Sequence, residues 1–506
     1  MLSDDLWGNM AEPAGATSPN ALSCESDSDS ALGSERLCSI LERLRAHQFV
    51  VRACDARERI AKLKRLKAAI IRHREQLVDA MYREFRKPRM EVELSEIQLV
   101  FTELDYAIHQ LPQWMRKKKV GTPLHLLGTR SEIWPEPKGV VLILAAWNYP
   151  FALLFAPLVA AVAAGNCVVL RGSERVPYTC EIAERILTDT FSRDEVALVQ
   201  GNVETARELV RLPFDHIFFT GTSEVGREVL SAAASNLTPV TLELGGKSPV
   251  IVDESADISI ATERIVWGKF FNGGQTCVVP DYLLVQQSRV EELTTAMREK
   301  IGQFYGKNND ELRASTDLCR IIDKKNFNRL VGSLQDALRR GAKIEIGATW
   351  DERELYISPT VLSNVSPESL LMKEEIFGPV LPILSFSAVE QAIDFVNARP
   401  KPLALYVFAG NQTTAQRILE RTSSGGAAIN NVAMHLLNPN LPFGGIGCSG
   451  MGKYHGRYGF EVFSQERAIM KQGTFNPARW FYPPYARLYQ GPIGWLRSKL
   501  RTLRDK

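Results

Sequence analysis

The sequence is poor in several features that would narrow its function at once. Its eight cysteines stand at 24, 38, 54, 167, 180, 277, 319 and 448, with no Cys-x-x-Cys pair and no metal-ligand spacing to the seven histidines. Neither a disulfide framework nor a metal site is therefore expected, and a reducing, cytoplasmic setting fits. The first 35 residues hold no Lys or Arg and no apolar core, so neither a secretory nor a transit signal is expected. Their Ser, Ala, Asp and Gly content predicts a disordered acidic tail over 1–36. An excess of one charge is missing too: 61 Lys and Arg stand against 58 Asp and Glu, a net +3, and no nucleic-acid partner is expected.

Long hydrophobic runs are also rare. The exception, Val140 to Leu170, runs for 31 residues without a charge, long enough to suggest a membrane span. Asn148, Pro150, Pro157 and Gly165-Asn166 break it into a β-branched run, a helix-like Phe151–Ala164 and a second strand from Cys167 to Leu170. A buried strand–helix–strand unit explains the same hydropathy, because parallel strands are covered on both faces.

What is present is ordinary globular composition, 45% hydrophobic and 24% charged over 506 residues, enough for two or three domains. Residues 37 to 87 have helical periodicity. From Val140, strands are expected at 140–145, 167–171, 196–200, 216–220 and 239–244, with helices near 151–164, 178–191, 203–211 and 223–234. That alternation predicts a doubly wound α/β domain, whose ligands sit at the carboxyl ends of the strands. A second α/β stretch runs from about 247 to 430. Lys117 to Lys138 reads as a hairpin, and Leu441 to Gly459 as a glycine-dense loop.

Three segments lie where such chemistry is expected. Phe271-Asn-Gly-Gly-Gln-Thr-Cys277 ends in a cysteine beside two glycines, which leave room for an adduct on the thiol. Thr241-Leu-Glu-Leu-Gly-Gly-Lys-Ser-Pro249 sets Glu243 at a strand end, where a carboxylate can act as a general base. Phe219-Thr-Gly-Thr-Ser-Glu-Val-Gly226 is a strand-to-helix loop whose helix N-terminus suits a phosphate, though it departs from the usual G-x-G-x-x-G pattern. His435 and His455 receive no role.

Taken together, AAWNYPF (145–151), GTSEVG (221–226), LELGGKSP (242–249), NGGQTC (272–277) and EEIFGP (374–379) resemble the aldehyde dehydrogenase superfamily in order and spacing. The resemblance spans about residues 45 to 470. RIIDKKNFNRL (320–330) and LPFGGIGCSGMGKYHGRYGFEVFS (441–464) look most like its class 3 branch, whose members include enzymes for fatty and aromatic aldehydes.

The resemblance implies NAD(P)⁺-dependent oxidation of a hydrophobic aldehyde to its acid. Cys277 would attack the carbonyl, Asn148 and the Cys277 N–H would form the oxyanion hole, and Glu243 would activate the water that hydrolyses the thioester. Gly221 and Gly226 would border the pyrophosphate, Trp147 would line the cofactor cleft, Glu375 would bind the nicotinamide ribose with Phe377 beside it, and Thr222 and Leu244 would be further cofactor-binding residues. Where the family usually reads VVLKPSE, this chain reads VVLRGSE, placing Arg171 and Glu174 at the adenine ribose. Arg171 would suit a 2′-phosphate and Glu174 free hydroxyls, so NAD is preferred and NADP stays open. Gly172 in place of proline is expected to loosen the turn.

By resemblance, the fold is an α/β aldehyde dehydrogenase fold divided as follows. Residues 37–116 and 139–246 form the cofactor domain, 247–455 the catalytic domain, and 117–138 with 456–475 a bridging element that makes a homodimer or a dimer of dimers. Residues 476–506 form a basic amphipathic tail, with seven Lys and Arg against one acid from Arg479 onward, which raises peripheral membrane contact. Two other readings compete. A coenzyme A-acylating enzyme would not need Glu243 as a water-activating base, and an inactive nucleotide-binding protein would not need the whole polar set.

Overall fold

The computed structural model describes residues 28–476 and 482–484. The basic amphipathic tail and residues 1–27 therefore lie outside the described residues, apart from 476 and 482–484.

Two helices open the described chain, α1 (Ser28–Ala53) and α2 (Ala56–Phe85). They part at Asp55, whose side chain accepts the Glu58 N–H while Glu58 returns a bond to the Asp55 N–H, a reciprocal cap that starts α2. The expected tail over 1–36 is corrected here, because Ser28 to Arg36 is helical. Composition alone hid it. The helix is anchored by Leu37, Leu41 and Leu44, which are buried against the first sheet. Next come α3 (Arg89–Val92), a π turn at Glu93–Ile97, and α4 (Gln98–Trp114).

Strands β1 (Lys118–Val120) and β2 (Thr129–Pro137) form an antiparallel pair. Then begins the regular alternation: β3 (Val140–Leu144), α5 (Ala152–Ala164), β4 (Cys167–Arg171), α6 (Pro177–Thr190), β5 (Val196–Leu198), α7 (Val203–Arg211), β6 (His216–Thr220), α8 (Ser223–Ala234) and β7 (Val240–Glu243). The uncharged run resolves into β3, α5 and β4, all buried. Among the described residues, no helix is long and apolar enough to cross a membrane.

The first sheet has the order β17-β7-β6-β3-β4-β5. Its β3 to β7 strands run parallel, and the strand order reverses beside β3. The doubly wound rule places a ligand there, outside the carboxyl ends of β3 and β6.

The second sheet has seven strands: β8 (Pro249–Val252), β9 (Tyr282–Gln286), β10 (Lys343–Ile346), β13 (Thr360–Ser363), β14 (Val380–Phe386), β15 (Ala404–Phe408) and β16 (Gly426–Ile429). All but β10 pair in parallel. A two-stranded ribbon, β11 (Trp350–Asp351) and β12 (Tyr356–Ile357), stands apart. The helix α9 (Ile258–Phe270) crosses from β8 toward β9 and leads into the cysteine loop.

Two pairings join distant parts of the chain. The short β17 (Gly450–Met451) lies antiparallel to β7, so part of the expected 247–455 catalytic segment belongs to the cofactor sheet. The long β18 (Ser464–Gln472) pairs with β2 along its whole length, completing a three-stranded sheet. Between them, Gly456–Val462 is a helix, not the start of the bridging strand. Its Phe460 and Phe463 sink into the core around α5.

Candidate active site

The cysteine loop owes its shape to three successive left-handed residues. Asn272, Gly273 and Gly274 have φ of 54°, 60° and 72°, conformations that glycine and asparagine adopt at least cost. A side chain on Gly274 would collide with the Gly378 carbonyl, so this glycine lets two loops touch. The amide of Gln275 then fastens the turn from within. Its Nε2 donates to the Asn272 and Arg320 carbonyls, both at 3.1 Å, and its Oε1 accepts the Ile322 N–H at 3.1 Å.

The result is a half-buried Cys277 whose thiol is pushed up to about 12. Burial is the main cause, reinforced by the Glu375 and Glu243 carboxyls and opposed by backbone N–H groups of Cys277 and Val278.

Asn148 follows β3 and is 4% exposed. It donates Nδ2–H to the Gln275 carbonyl at 3.1 Å, and its own carbonyl accepts the Asn272 amide at 3.0 Å. The two loops are thus stitched together, and the second N–H of the Asn148 amide remains for an oxyanion.

Glu243 closes β7, is 3% exposed, and has no hydrogen bond on either carboxyl oxygen. Burial holds its carboxyl well above the usual range. The glycine-dense segment forms the wall around it. Gly450 pairs with Glu243, and a Cβ on Gly444 would lie 3.2 Å from its Oε1.

The EEIFGP loop is held by charge. Lys247 pairs with Asp281 and donates to the Leu371 and Glu374 carbonyls at 2.7 and 2.8 Å. Asp281 accepts the Ile376 N–H at 2.9 Å, and Arg329 donates to the Glu375 and Ile376 carbonyls at 3.2 and 2.9 Å. Glu375 then lies against Gly245, where any side chain would strike its carboxyl. Burial, then Asp281, raises Glu375 to about 8. Phe377, at φ 49°, meets Trp147 edge-on with ring centroids 5.5 Å apart. The residues read as the nicotinamide side therefore do converge.

At the end of β6, Thr222 caps α8 by accepting the Val225 N–H at 3.4 Å. The Thr220 hydroxyl is buried there without a partner. Gly226 lets the Leu244 side chain approach within 2.8 Å of where a Cβ would be. A helix N-terminus, an orphan hydroxyl and close backbone at the strand-order reversal suit a dinucleotide, so these residues fit the cofactor.

The turn after β4 bears on two of the expectations. Arg171 donates to Glu174 at 2.6 Å and to the Asn202 and Gly201 carbonyls at 2.9 and 3.3 Å. Its charge is engaged by Glu174 and is not held out for a 2′-phosphate. At Gly172 no gap is left in the turn. The Cys180 sulfur occupies the place a side chain would take, and its thiol donates to the Ser173 carbonyl at 3.7 Å.

Several residues of this site escaped the sequence reading. Tyr149 bonds the Thr276 hydroxyl at 2.6 Å. Lys87 and Glu96 form a fully buried pair at 2.6 Å, and Glu91 accepts the Asn272 N–H at 2.8 Å. Lys269 is buried without a hydrogen bond and is lowered to about 8 by burial. Nothing in their local sequence marks these charges as buried.

The two histidines given no role are both packed among other side chains. His455 bonds Glu103 at 2.6 Å, and His435 packs near Tyr406 and Phe443. Among the described residues, no group of three His, Cys, Asp or Glu is placed to hold a metal.

A family model described as the aldehyde dehydrogenase family matches residues 31–469. The chain is 44% identical over 431 residues to a 4,4′-diaponeurosporen-aldehyde dehydrogenase of Staphylococcus aureus, covering 85% of this chain and 93% of that one. It is 40% identical over 459 residues to aldehyde dehydrogenase family 3 member A2 of Macaca fascicularis, covering 90% and 92%. Among solved structures, the substrate-bound Staphylococcus aureus AldH superposes with a TM-score of 0.86 at 41% identity, covering 92% and 99%.

Proposed function

The chain belongs to the aldehyde dehydrogenase family, in its class 3 branch, and from that membership we propose that Cys277, Asn148 and Glu243 carry out its NAD(P)⁺-dependent oxidation of aldehydes to carboxylic acids. The observation that carries this assignment is the Glu243 carboxyl, buried, without a hydrogen bond, and near enough to Cys277 to raise its thiol.

Once its thiol proton has passed to solvent water, the Cys277 thiolate bonds to the aldehyde carbon as the carbonyl π bond opens onto oxygen. The Asn148 N–H and the Cys277 backbone N–H receive the oxygen, whose charge grows as the adduct forms; such a donor contributes about 2.7–4 kcal/mol. A nicotinamide bound beside Trp147, Glu375 and Phe377 supplies the two-electron acceptor. A thioester then remains on Cys277, and Glu243 takes the proton from the water that cleaves it. Gly221, Thr222, Gly226 and Leu244 would hold the pyrophosphate end. The Arg171–Glu174 pair favours NAD, since a 2′-phosphate would meet the Glu174 carboxylate.

The substrate side is read as apolar. Trp267, Ala433, Leu436 and Phe443 pack on the same core as Cys277, which favours a hydrophobic aldehyde. The relative named for 4,4′-diaponeurosporen-aldehyde points the same way.

The protein is further read as a cytoplasmic homodimer joined through the β1-β2-β18 sheet, whose edge strand β18 is largely exposed and offers unpaired backbone. A monomer by light scattering would refute the dimer. The basic tail is read as a peripheral membrane contact, refuted if deleting residues 491–506 leaves liposome co-sedimentation unchanged.

Reduced-nicotinamide formation by wild type and Cys277→Ala, with NAD⁺ or NADP⁺ and short, long-chain and aromatic aldehydes, tests the assignment. Turnover absent from Cys277→Ala upholds it, and turnover retained there refutes it.

A further inference from the structure

The segment from Lys87 to Glu96 lies outside every motif singled out above, yet it touches both loops of the reaction centre. Three of its charges, Lys87, Glu91 and Glu96, are buried, an arrangement sustained only where each is hydrogen-bonded. Lys87 pairs with Glu96 at 2.6 Å, both fully buried. The other Glu96 oxygen accepts the Phe151 and Ala152 N–H groups at 3.2 and 2.8 Å, fixing the chain just after Asn148. Lys87 also sits 4.0 Å over the ring of Tyr149, whose hydroxyl meets Thr276.

Glu91 reaches the other loop. Its Oε2 accepts the Asn272 N–H at 2.8 Å and the Cys319 thiol at 3.4 Å. In a regular α-helix, residues five apart point about 140° away from one another. The π turn at Glu93–Ile97 narrows that divergence, and π turns recur at functional sites. One short segment therefore grips the Asn148 loop through Glu96 and the Cys277 loop through Glu91.

We propose that Glu91 is a positioning residue: by holding the Asn272 N–H it sets the Cys277 loop against Asn148, so that the two halves of the oxyanion hole face one substrate oxygen. The proposal rests on the assignment of Cys277 and Asn148 made above. It concerns reach, not charge. The bond to Asn272 needs an acceptor oxygen at the right distance, and a displacement of about 1 Å at a reaction centre costs on the order of a hundredfold in rate.

The test compares full-length Glu91→Gln, which keeps the reach without the carboxylate, with Glu91→Asp, which keeps the carboxylate but falls short of Asn272. For each, kcat, KM for NAD⁺ and the rate of Cys277 alkylation by iodoacetamide, followed on its own peptide, are measured. Glu91→Asp should lose at least about tenfold in kcat and alter the alkylation rate, with KM for NAD⁺ within about twofold. Glu91→Gln should stay within about threefold of wild type in all three.

Wild-type activity in Glu91→Asp, or equal loss in both variants, overturns the proposal. Single-amide hydrogen exchange on the wild type needs no folded variant: Asn272 should be protected, and free exchange there would equally overturn it. Cys277→Ala, run alongside, separates the two levels. Turnover surviving in that variant refutes the nucleophile itself, whatever Glu91 does.

Discussion

At the scale of single residues, the reaction centre shifts two acids in the same direction. Burial holds the Glu243 carboxyl well above the usual range, and the Cys277 thiol is pushed up to about 12 by burial and two carboxyl neighbours. Both shifts run upward, so activity should climb with alkalinity. Removing a proton from either activates the centre, and both lose theirs later than usual. A pH profile of kcat/KM that rises from pH 6 to pH 9 is the expected result, and a plateau below pH 7 would contradict it. Glu243→Gln should separate the two halves of the reaction. About one reduced nicotinamide per site would form in a burst, followed by steady-state turnover lowered about 10²–10⁴-fold, as for loss of a general base. Rapid-mixing absorbance resolves the two phases.

Elements show how far the sequence carried. Strands β3, β4 and β6 and helices α5 to α8 were legible within a residue or two, because their apolar runs alternate with turn residues and each period is local. The motifs around Asn148, Glu243 and Cys277 were legible because glycines and polar residues occur there in a particular order. The buried Lys87–Glu96 pair was not, since charges within helical periodicity read as a solvated face until a tertiary neighbour covers them. The packing of the turn after β4 was hidden for a similar reason: only the fold shows that Cys180, on α6, fills the side-chain space of Gly172. Gly172→Ala should therefore destabilise the fold by about 1–3 kcal/mol through overpacking. Adding Cys180→Ala should recover much of that, a coupling measurable by urea denaturation of the four proteins in the cycle. Additive losses would show that the sulfur and the turn are independent.

For the whole molecule, buried carboxyls make stability pH-dependent. Glu84 and Glu91 are raised to about 7 and Glu375 to about 8, each chiefly by burial. Between the ordinary carboxyl range near 4.5 and these values, the folded protein retains protons that the unfolded chain has released. Stability from these groups is therefore full below that window and falls as pH rises through it. Glu84→Gln removes one such group away from the reaction centre, so its Tm should gain on wild type between pH 5 and pH 8. A constant Tm difference across that range would exclude Glu84 as a contributor.

The pairing of Gly450 with Glu243 ties the order of synthesis to activity. Cys277, Glu243 and most of both sheets leave the ribosome before the residues that wall in the carboxyl. A nascent chain halted short of Gly444 carries the nucleophile and the base, but not the wall that buries Glu243. The last-made stretch thus finishes the surroundings of a base laid down long before it.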